Sequence, residues 1–282
     1  MQPIVAVIAP GMMGSAVGHV LAHAGLEVRT SLAGRSEATL ARAKAAGMTD
    51  ASDAQIAASD IILSILPPGD ALSLAERLAP ALRVARNKPT YVDCNAVSPA
   101  TVLRIARVVE ETGATFVDGG IIGGPPTPGS KATRIYLSGA AAQTMAGTLE
   151  QYGLRTPVQP GPIGAASAMK LSYAGITKGF TALGAAMMLA ATRAGTADDL
   201  RHELLSSQPA LFGWLTRQMP KMHSKAYRWV AEMEEISDFV GEDPAARQFF
   251  QAAAQLYARI AEDCEGPNKE TAALDAFCKD RG

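Results

Sequence analysis

The sequence predicts an α/β chain: a doubly wound parallel sheet followed by an all-α C-terminal domain. Three observations carry that expectation. Short apolar runs without internal periodicity alternate with helix-like segments through the first 160 or so residues, as buried parallel strands and their crossover helices do. The strand signals stop after Pro162. Beyond it, LLSSQPALFGWLTRQM, RWVAEMEEISDFV and AARQFFQAAAQLYARIAEDC all have helical periodicity.

The elements follow in order. IVAVIA (4–9) is a short apolar strand. A helix from Met13 to Ala24 ends at Gly25, a natural C-cap. EVRTSL (27–32) reads as a second strand. Ser36 is placed to cap the next helix, which ends at Gly47. DIILSIL (60–66) is a strand stopped by Pro67 and Pro68, because proline lacks the N–H a strand needs. TYVDCN (90–95), TFVDGG (115–120) and TRIYLSG (133–139) continue the series. TPVQPGPIG (156–164), rich in proline and glycine, marks the boundary between residues 1–162, a sheet domain, and residues 163–282, a helical one. A long, nearly chargeless helix over 163–193 opens the second part and joins the two.

Charge is balanced, with 26 basic and 27 acidic residues, so nothing points to nucleic acid or an anionic membrane surface. The three cysteines, Cys94, Cys264 and Cys278, show neither paired nor metal-ligand spacing, which suits a reducing, cytoplasmic compartment. Four scattered histidines make a histidine-based metal site an unfavoured reading. The long apolar stretch carries Lys170, Lys178, hydroxyls and several glycines, which argues against a membrane span.

The first strand, turn and helix carry Ala9-x-Gly11-x-x-Gly14, close to the Gly-x-Gly-x-x-Gly dinucleotide fingerprint of a Rossmann-type domain. Gly11 lets the backbone approach a pyrophosphate, and Gly14 lets the helix pack on the strand. Amides of the first helical turn, at Met12 and Met13, would hold the anion. An NAD enzyme usually has an acid after the second strand for the ribose 2′-hydroxyl. Here Ser31-Leu32-Ala33-Gly34-Arg35-Ser36 has none. Arg35 offers a planar cation, and Ser36 a hydroxyl at a helix start, for a 2′-phosphate, so NADP is favoured over NAD.

Within SAMKLSYAGI (167–176), Lys170 stands near the start of the apolar helix. From periodicity alone two readings are balanced: a lysine that snorkels to the surface, or a proton donor in a site.

The ordered set of the glycine loop, ILPP, VDCNAVSP, VDGGIIGGPP and a lysine near the start of a long helix resembles the β-hydroxyacid dehydrogenase superfamily. That superfamily includes 3-hydroxyisobutyrate and 6-phosphogluconate dehydrogenases and imine reductases. The C-terminal part, with RWVAEMEEI, resembles the subgroup with a DUF1932-type helical domain. The resemblance implies that Leu66, Pro67 and Pro68 line the cofactor near its ribose and that Asn95 sits by the nicotinamide ribose. It implies a substrate loop at Gly123 and Gly124, and Lys170 as general acid in reduction and base in oxidation. Two positions depart from the family pattern. Ile122 stands where a serine often holds a substrate carboxylate, and Ala174 where an asparagine usually follows the lysine by one turn. Both changes favour a bulkier or less polar substrate than a simple 3-hydroxy acid.

In the helical part, Arg228 is the candidate basic residue for the substrate, although Arg228 and Glu232, one turn apart, also suit a helix-face ion pair. His223 reads as a capping or surface residue, and Trp214 and Trp229 as core or interface. Cys94 reads as packing, since no histidine base lies near it in sequence. The expected activity is hydride transfer between NADP and a small hydroxy or oxo compound. The alternatives are an imine reductase of the same superfamily and an NADPH-binding redox sensor without turnover. A homodimer built by the C-terminal helices is the expected assembly.

Overall fold

The computed structural model describes residues 2–279, which divide into two compact units between Leu171 and Ser172. The division falls inside the long helix rather than at the 162/163 boundary expected from the proline-rich stretch.

In the first unit the strands are β1 (Val5–Ile8), β2 (Val28–Thr30), β3 (Met48–Asp50), β4 (Ile61–Ser64), β5 (Thr90–Asp93), β6 (Thr115–Ile122) and β7 (Arg134–Ser138). They form one sheet of order β3-β2-β1-β4-β5-β6-β7. Helices α1 (Met12–His23), α2 (Glu37–Ala45), α3 (Asp53–Ala57), α4 (Ala71–Val84), α5 (Pro99–Glu110) and α6 (Ala142–Gln151) accompany it. Two apolar clusters form its core: Val7, Leu63, Val117 and Leu137 belong to one, Ile8, Ile62, Tyr91 and Phe116 to the other. Alternate residues of one strand thus serve opposite faces of the sheet.

The sheet is parallel except for β7, which pairs antiparallel with β6. The reason is the connection: residues 123–133 form a loop without a crossover helix, so the chain returns beside β6 in the opposite direction. Strand β3 and helix α3 were not among the expected elements. Both are short, and β3 buries only Met48, so neither leaves a periodic signature.

The order reverses between β1 and β4, where successive crossovers run to opposite sides. In such sheets ligands bind at the carboxyl ends of the strands flanking that point. The loop after β1 and the segment after β4 meet there: Ala9 N–H donates to Ile65 O at 3.2 Å.

Helix α7 (Ala165–Ala194) begins in the first unit and continues into the second. The second unit adds α8 (Ala197–Ser207), α9 (Pro209–His223), α10 (Ala226–Phe239), α11 (Pro244–Glu265) and α12 (Lys269–Cys278). Its core includes Leu215, Met219, Met233, Ile236, Tyr257 and Leu274. The glycines of α7 explain its composition here. A Cβ at Gly184 would come within 2.6 Å of Leu215, and one at Gly179 within 3.2 Å of Phe249. Helix α7 is long and apolar enough to cross a membrane, but nearly half of its most apolar stretch is buried within the protein. Trp229 packs edge-on against Tyr257 at 5.1 Å and Trp214 lies 5.4 Å from Phe180; both tryptophans are half-buried.

Candidate active site

The turn after β1 is built from main-chain atoms. Gly11 N–H donates to Ala9 O at 2.8 Å, which tightens the loop before α1. A Cβ at Gly14 would collide with the carbonyl oxygen of Ala9, so only glycine lets the helix start this close to the strand. Gly11 is different: a Cβ there would meet nothing within 4 Å. The space it leaves is open, and no side chain caps α1, whose first turn contains Met12 and Met13. An uncapped helix start beside an open glycine is a cradle for an anion. The residues present fit a dinucleotide pyrophosphate.

The β2–α2 connection adds cationic and polar groups. Leu32 to Arg35 form a turn, with Arg35 N–H donating to Leu32 O at 3.0 Å and Gly34 at φ +72°. Asp50, at the end of β3, accepts the Leu32 N–H at 2.9 Å. The acid nearest the end of β2 by strand register is therefore engaged by the turn itself. Arg35 and Ser36 are exposed. Ser36 stands at the N-cap of α2 but makes no side-chain cap; its hydroxyl pairs with that of Thr39 at 3.1 Å. The expected cap is thus only positional, and the start of α2 is uncapped like that of α1. Arg42 of α2, which the sequence did not single out, donates from Nη1 to Pro10 O at 3.1 Å and braces the glycine loop.

After β4, Leu66 and Pro67 lead into a short 3₁₀ turn over Pro68–Asp70. Asn95, after β5, is 1% exposed, and its amide is engaged on both sides. Its Oδ1 accepts from Leu66 N–H at 2.5 Å and its Nδ2 donates to Ser64 Oγ at 2.8 Å. Asn95 stands at the expected edge, but as a clasp between the ends of β4 and β5. Next to it, burial pushes the Cys94 thiol well above its ordinary value, which supports packing over nucleophilic chemistry.

The start of α7 is fixed by Asp118, a carboxylate in an otherwise apolar strand, fully buried. Its Oδ2 accepts from the N–H groups of Gly164 (2.9 Å), Ala166 (3.0 Å) and Ser167 (3.1 Å) and from Ser138 Oγ (2.8 Å). Its Oδ1 accepts from Ser167 Oγ at 2.6 Å. These are charge-assisted bonds that satisfy the free amides of the helix start and favour its dipole. A lone acid inside TFVDGG was the sequence signal for this role.

Lys170 follows one turn later, half-buried. A Cβ at Gly120 would lie 2.8 Å from Ala166 O and 2.8 Å from Lys170 Cβ, so Gly120 is what lets α7 run this close to β6. Asp118, Gly120 and Ile122 alternate onto one face of β6: the first anchors the helix, the second clears Lys170, and Ile122 ends the strand on the same face. Gly123, at φ +123°, then turns the chain, and Gly124 O accepts from Thr133 Oγ1 at 2.5 Å, which holds the loop against β7. The first unit therefore brings the glycine loop, Leu66, Pro67, Asn95, Ile122 and Lys170 to the carboxyl-end edge of one sheet.

Ala174 and Arg228 belong to the second unit. Ala174 is buried on α7; Arg228 is exposed on α10. Glu232, expected to answer Arg228, makes an ion pair with Lys178 of α7. His223 ends α9 half-buried, its Nδ1 3.8 Å from Asp275 Oδ1, rather than capping a helix or lying on the surface. Among the described residues no group of three or more His, Cys, Asp or Glu side chains could hold a metal.

Comparison with known proteins places this geometry. Residues 4–159 match the family described as the NAD binding domain of 6-phosphogluconate dehydrogenase, and residues 191–260 match a domain of unknown function, DUF1932. A conserved protein of unknown function, whose structure was described as similar to 3-hydroxyacid dehydrogenases, is 30% identical; the match covers 93% of this chain and 97% of that one, with a TM-score of 0.67. The 3-hydroxyisobutyrate dehydrogenase of Mycobacterium tuberculosis shares the fold at 18% identity and a TM-score of 0.69, over 98% of this chain and 99% of its own. An uncharacterized 28.5 kDa protein of Methanothermus fervidus is 31% identical over 62% of this chain and 66% of its own length, just under two thirds. The chain belongs to the β-hydroxyacid dehydrogenase superfamily, in the subgroup with a DUF1932 C-terminal domain.

Proposed function

We propose that this protein is an NADP-dependent oxidoreductase acting on a small hydroxy or oxo compound, with Lys170 as the acid and base. The observation that carries the reading is the anchoring of α7 on Asp118, which sets Lys170 over Gly120 beside the sheet edge that holds the glycine loop. The dinucleotide, when bound, supplies or accepts the hydride. The chain's part is to bind, orient and move a proton. The open start of α1 and Gly11 receive the pyrophosphate, and Arg35 with the uncapped start of α2 receives a 2′-phosphate. Lys170 Nζ donates a proton to the substrate oxygen in reduction and takes it back in oxidation.

Ile122 and Ala174 offer no hydrogen bond to a carboxylate, which supports a bulkier or less polar substrate than a simple hydroxy acid. Three unpaired cysteines support a reducing, cytoplasmic compartment. A homodimer is the assembly that fits: Tyr173, Ile176, Phe180, Leu183 and Met187 are exposed along α7 at alternating spacings of three and four, a seam that a second copy would cover. A monomer by sedimentation at micromolar concentration would remove the dimer from this reading.

The deciding experiment is a screen of aldehydes, keto acids and imines followed by NADPH absorbance, repeated with Lys170→Met. Turnover in the variant should fall roughly 10²–10⁴-fold, the usual worth of a positioned general acid, with NADPH affinity little changed. Turnover within a few-fold of the unmutated protein would remove Lys170 from the mechanism. Consumption with imines alone would make the protein an imine reductase. Tight NADPH binding with no consumption across the panel would make it a sensor.

A further inference from the structure

Three carboxyl-end groups of β4 and β5 are joined below the cofactor edge. Ser64, Asp93 and Asn95 are each 1% exposed or less. Ser64 Oγ accepts from Asn95 Nδ2 at 2.8 Å, Asn95 Oδ1 accepts from Leu66 N–H at 2.5 Å, and Asp93 Oδ1 accepts from Asn95 N–H at 2.8 Å. The second oxygen, Asp93 Oδ2, is buried with no hydrogen-bond partner. Asn95 has thus committed its carbonyl and one amide hydrogen to its own chain. What it controls is the path of the segment entering Pro67 and Pro68, which have no N–H of their own to be held by.

We propose that Asp93 and Ser64 are positioning residues for the cofactor edge: together they hold Asn95 as a clasp that fixes Leu66 and the two prolines after it. The inference rests on dinucleotide binding at this edge. Through Asn95, a side chain below the sheet edge sets where the loop presents its backbone, without touching the ligand.

The same geometry makes the clasp sensitive to pH. The titratable groups facing Asp93 are Tyr91 and Cys94 of its own segment and Asp118 of β6; Arg77 of α4 faces Tyr91. No cation among them is set against Asp93. Burial therefore pushes its carboxyl up from an ordinary 3.8 to about 7, against the smaller opposite effect of the bonds from Asn95. A protonated Asp93 leaves no unpaired charge below the sheet edge. An acid held above its unfolded value favours the folded state fully below about pH 4, and that contribution is lost as pH rises through about 7. Ionisation strengthens the bond from Asn95 but leaves a charge buried without a cation. Burial is the larger effect, and opening toward water relieves it, so the clasp should loosen over the upper part of that range.

The test uses the full chain and two readouts: hydrogen exchange at the Leu66 amide, which needs no cofactor, and NADPH affinity by fluorescence titration, each at pH 6 and pH 8.5. Ser64→Ala and Asp93→Ala should speed Leu66 exchange and weaken NADPH binding roughly tenfold, and NADH binding equally. Asp93→Asn keeps an uncharged acceptor for the Asn95 N–H. It should restore protection and affinity and remove the loss between pH 6 and pH 8.5. Unchanged exchange and affinity in Ser64→Ala, or an Asp93→Asn variant that keeps the pH dependence, would overturn the proposal. Should Asp93→Ala not fold, the other two variants decide. Should the unmutated protein bind no dinucleotide, the functional reading falls, and Leu66 exchange still decides the clasp.

Discussion

Helices α7 and α1 both begin at the carboxyl-end edge of the sheet with free amides and a positive dipole end, and they are answered from different sources. At α7 the anion is internal: Asp118 takes three main-chain N–H groups and two hydroxyls. At α1 the chain supplies no cap, and the glycine at the turn leaves open space. A fold that fills one such helix start with its own carboxylate and leaves another empty has separated structure from binding. The filled start fixes the turn that carries Lys170, the residue proposed as acid and base. The open one is the proposed seat of a ligand's charge.

The largest effect should come from breaking the filled end. Asp118→Ala leaves three amides and two hydroxyls buried without their acceptor. Losing a buried, fully bonded charge costs about 3–5 kcal/mol, so chemical denaturation should show a comparable loss of stability or no folded protein at all. Asp118→Asn keeps one acceptor oxygen and should fall between the two. A near-normal denaturation midpoint in Asp118→Ala would mean that α7 does not depend on this anchor.

The open end should respond in the opposite sense. Gly11→Ala adds a methyl where nothing stands within 4 Å, at a φ of −68° that alanine adopts readily, so stability should hold within about 0.5 kcal/mol. The methyl would occupy the proposed pyrophosphate space, and dinucleotide affinity should fall at least tenfold. Gly14→Ala puts its methyl against Ala9 O, so both stability and affinity should fall. If Gly11→Ala bound NADPH normally, the open space would not be the cradle.

This contrast also marks what the sequence could convey. Glycine spacing reports backbone demands, so the loop at 9–14 and the Gly119-Gly120 pair were visible as a motif before any coordinates. A Cβ at Gly119 would come within 2.8 Å of Asp93 O, and one at Gly120 within 2.8 Å of Ala166 O. Side-chain commitments were not visible. Asn95 stood in the right string, but whether its amide meets a ligand or Leu66 depends on how two strand ends converge. Asp118 showed as an acid in an apolar strand; its main-chain partners lie more than forty residues on, at 164–167. The direction of β7 was hidden too, because periodicity reports a strand and says nothing of its partner's sense. Glu232 had two cations within reach, Arg228 by sequence and Lys178 by packing, and packing decided.

At the proposed 2′-phosphate site the comparison narrows to two arginines. Arg35 is exposed in the turn before α2, and the nearest acid, Asp50, is held by Leu32 N–H. Arg35→Ala should cost about 1.5–3 kcal/mol with NADPH, the range for hydrogen bonds to a charged group, and leave NADH affinity almost unmoved. Equal affinities for the two cofactors in the unmutated protein would contradict an arginine reading the phosphate.

Arg42 should give the smallest effect and the sharpest test of what each arginine does. Its guanidinium is half-buried and donates to Pro10 O, so it holds the main chain of the loop rather than reading the nucleotide. A neutral acceptor and a single bond put its contribution at about 0.5–1.5 kcal/mol. In the proposed reading the loop holds the pyrophosphate, which NADH and NADPH share. Arg42→Ala should therefore weaken both dinucleotides by the same few-fold factor, where Arg35→Ala weakens only one. Paired titrations of both variants with both cofactors separate the roles. If Arg42→Ala lost NADPH alone, its charge would belong to the 2′-phosphate site, and the loop would need no brace from α2. If Arg35→Ala weakened both equally, the turn would be acting through the loop's shape, and any preference for a phosphorylated cofactor would have to come from the uncapped start of α2.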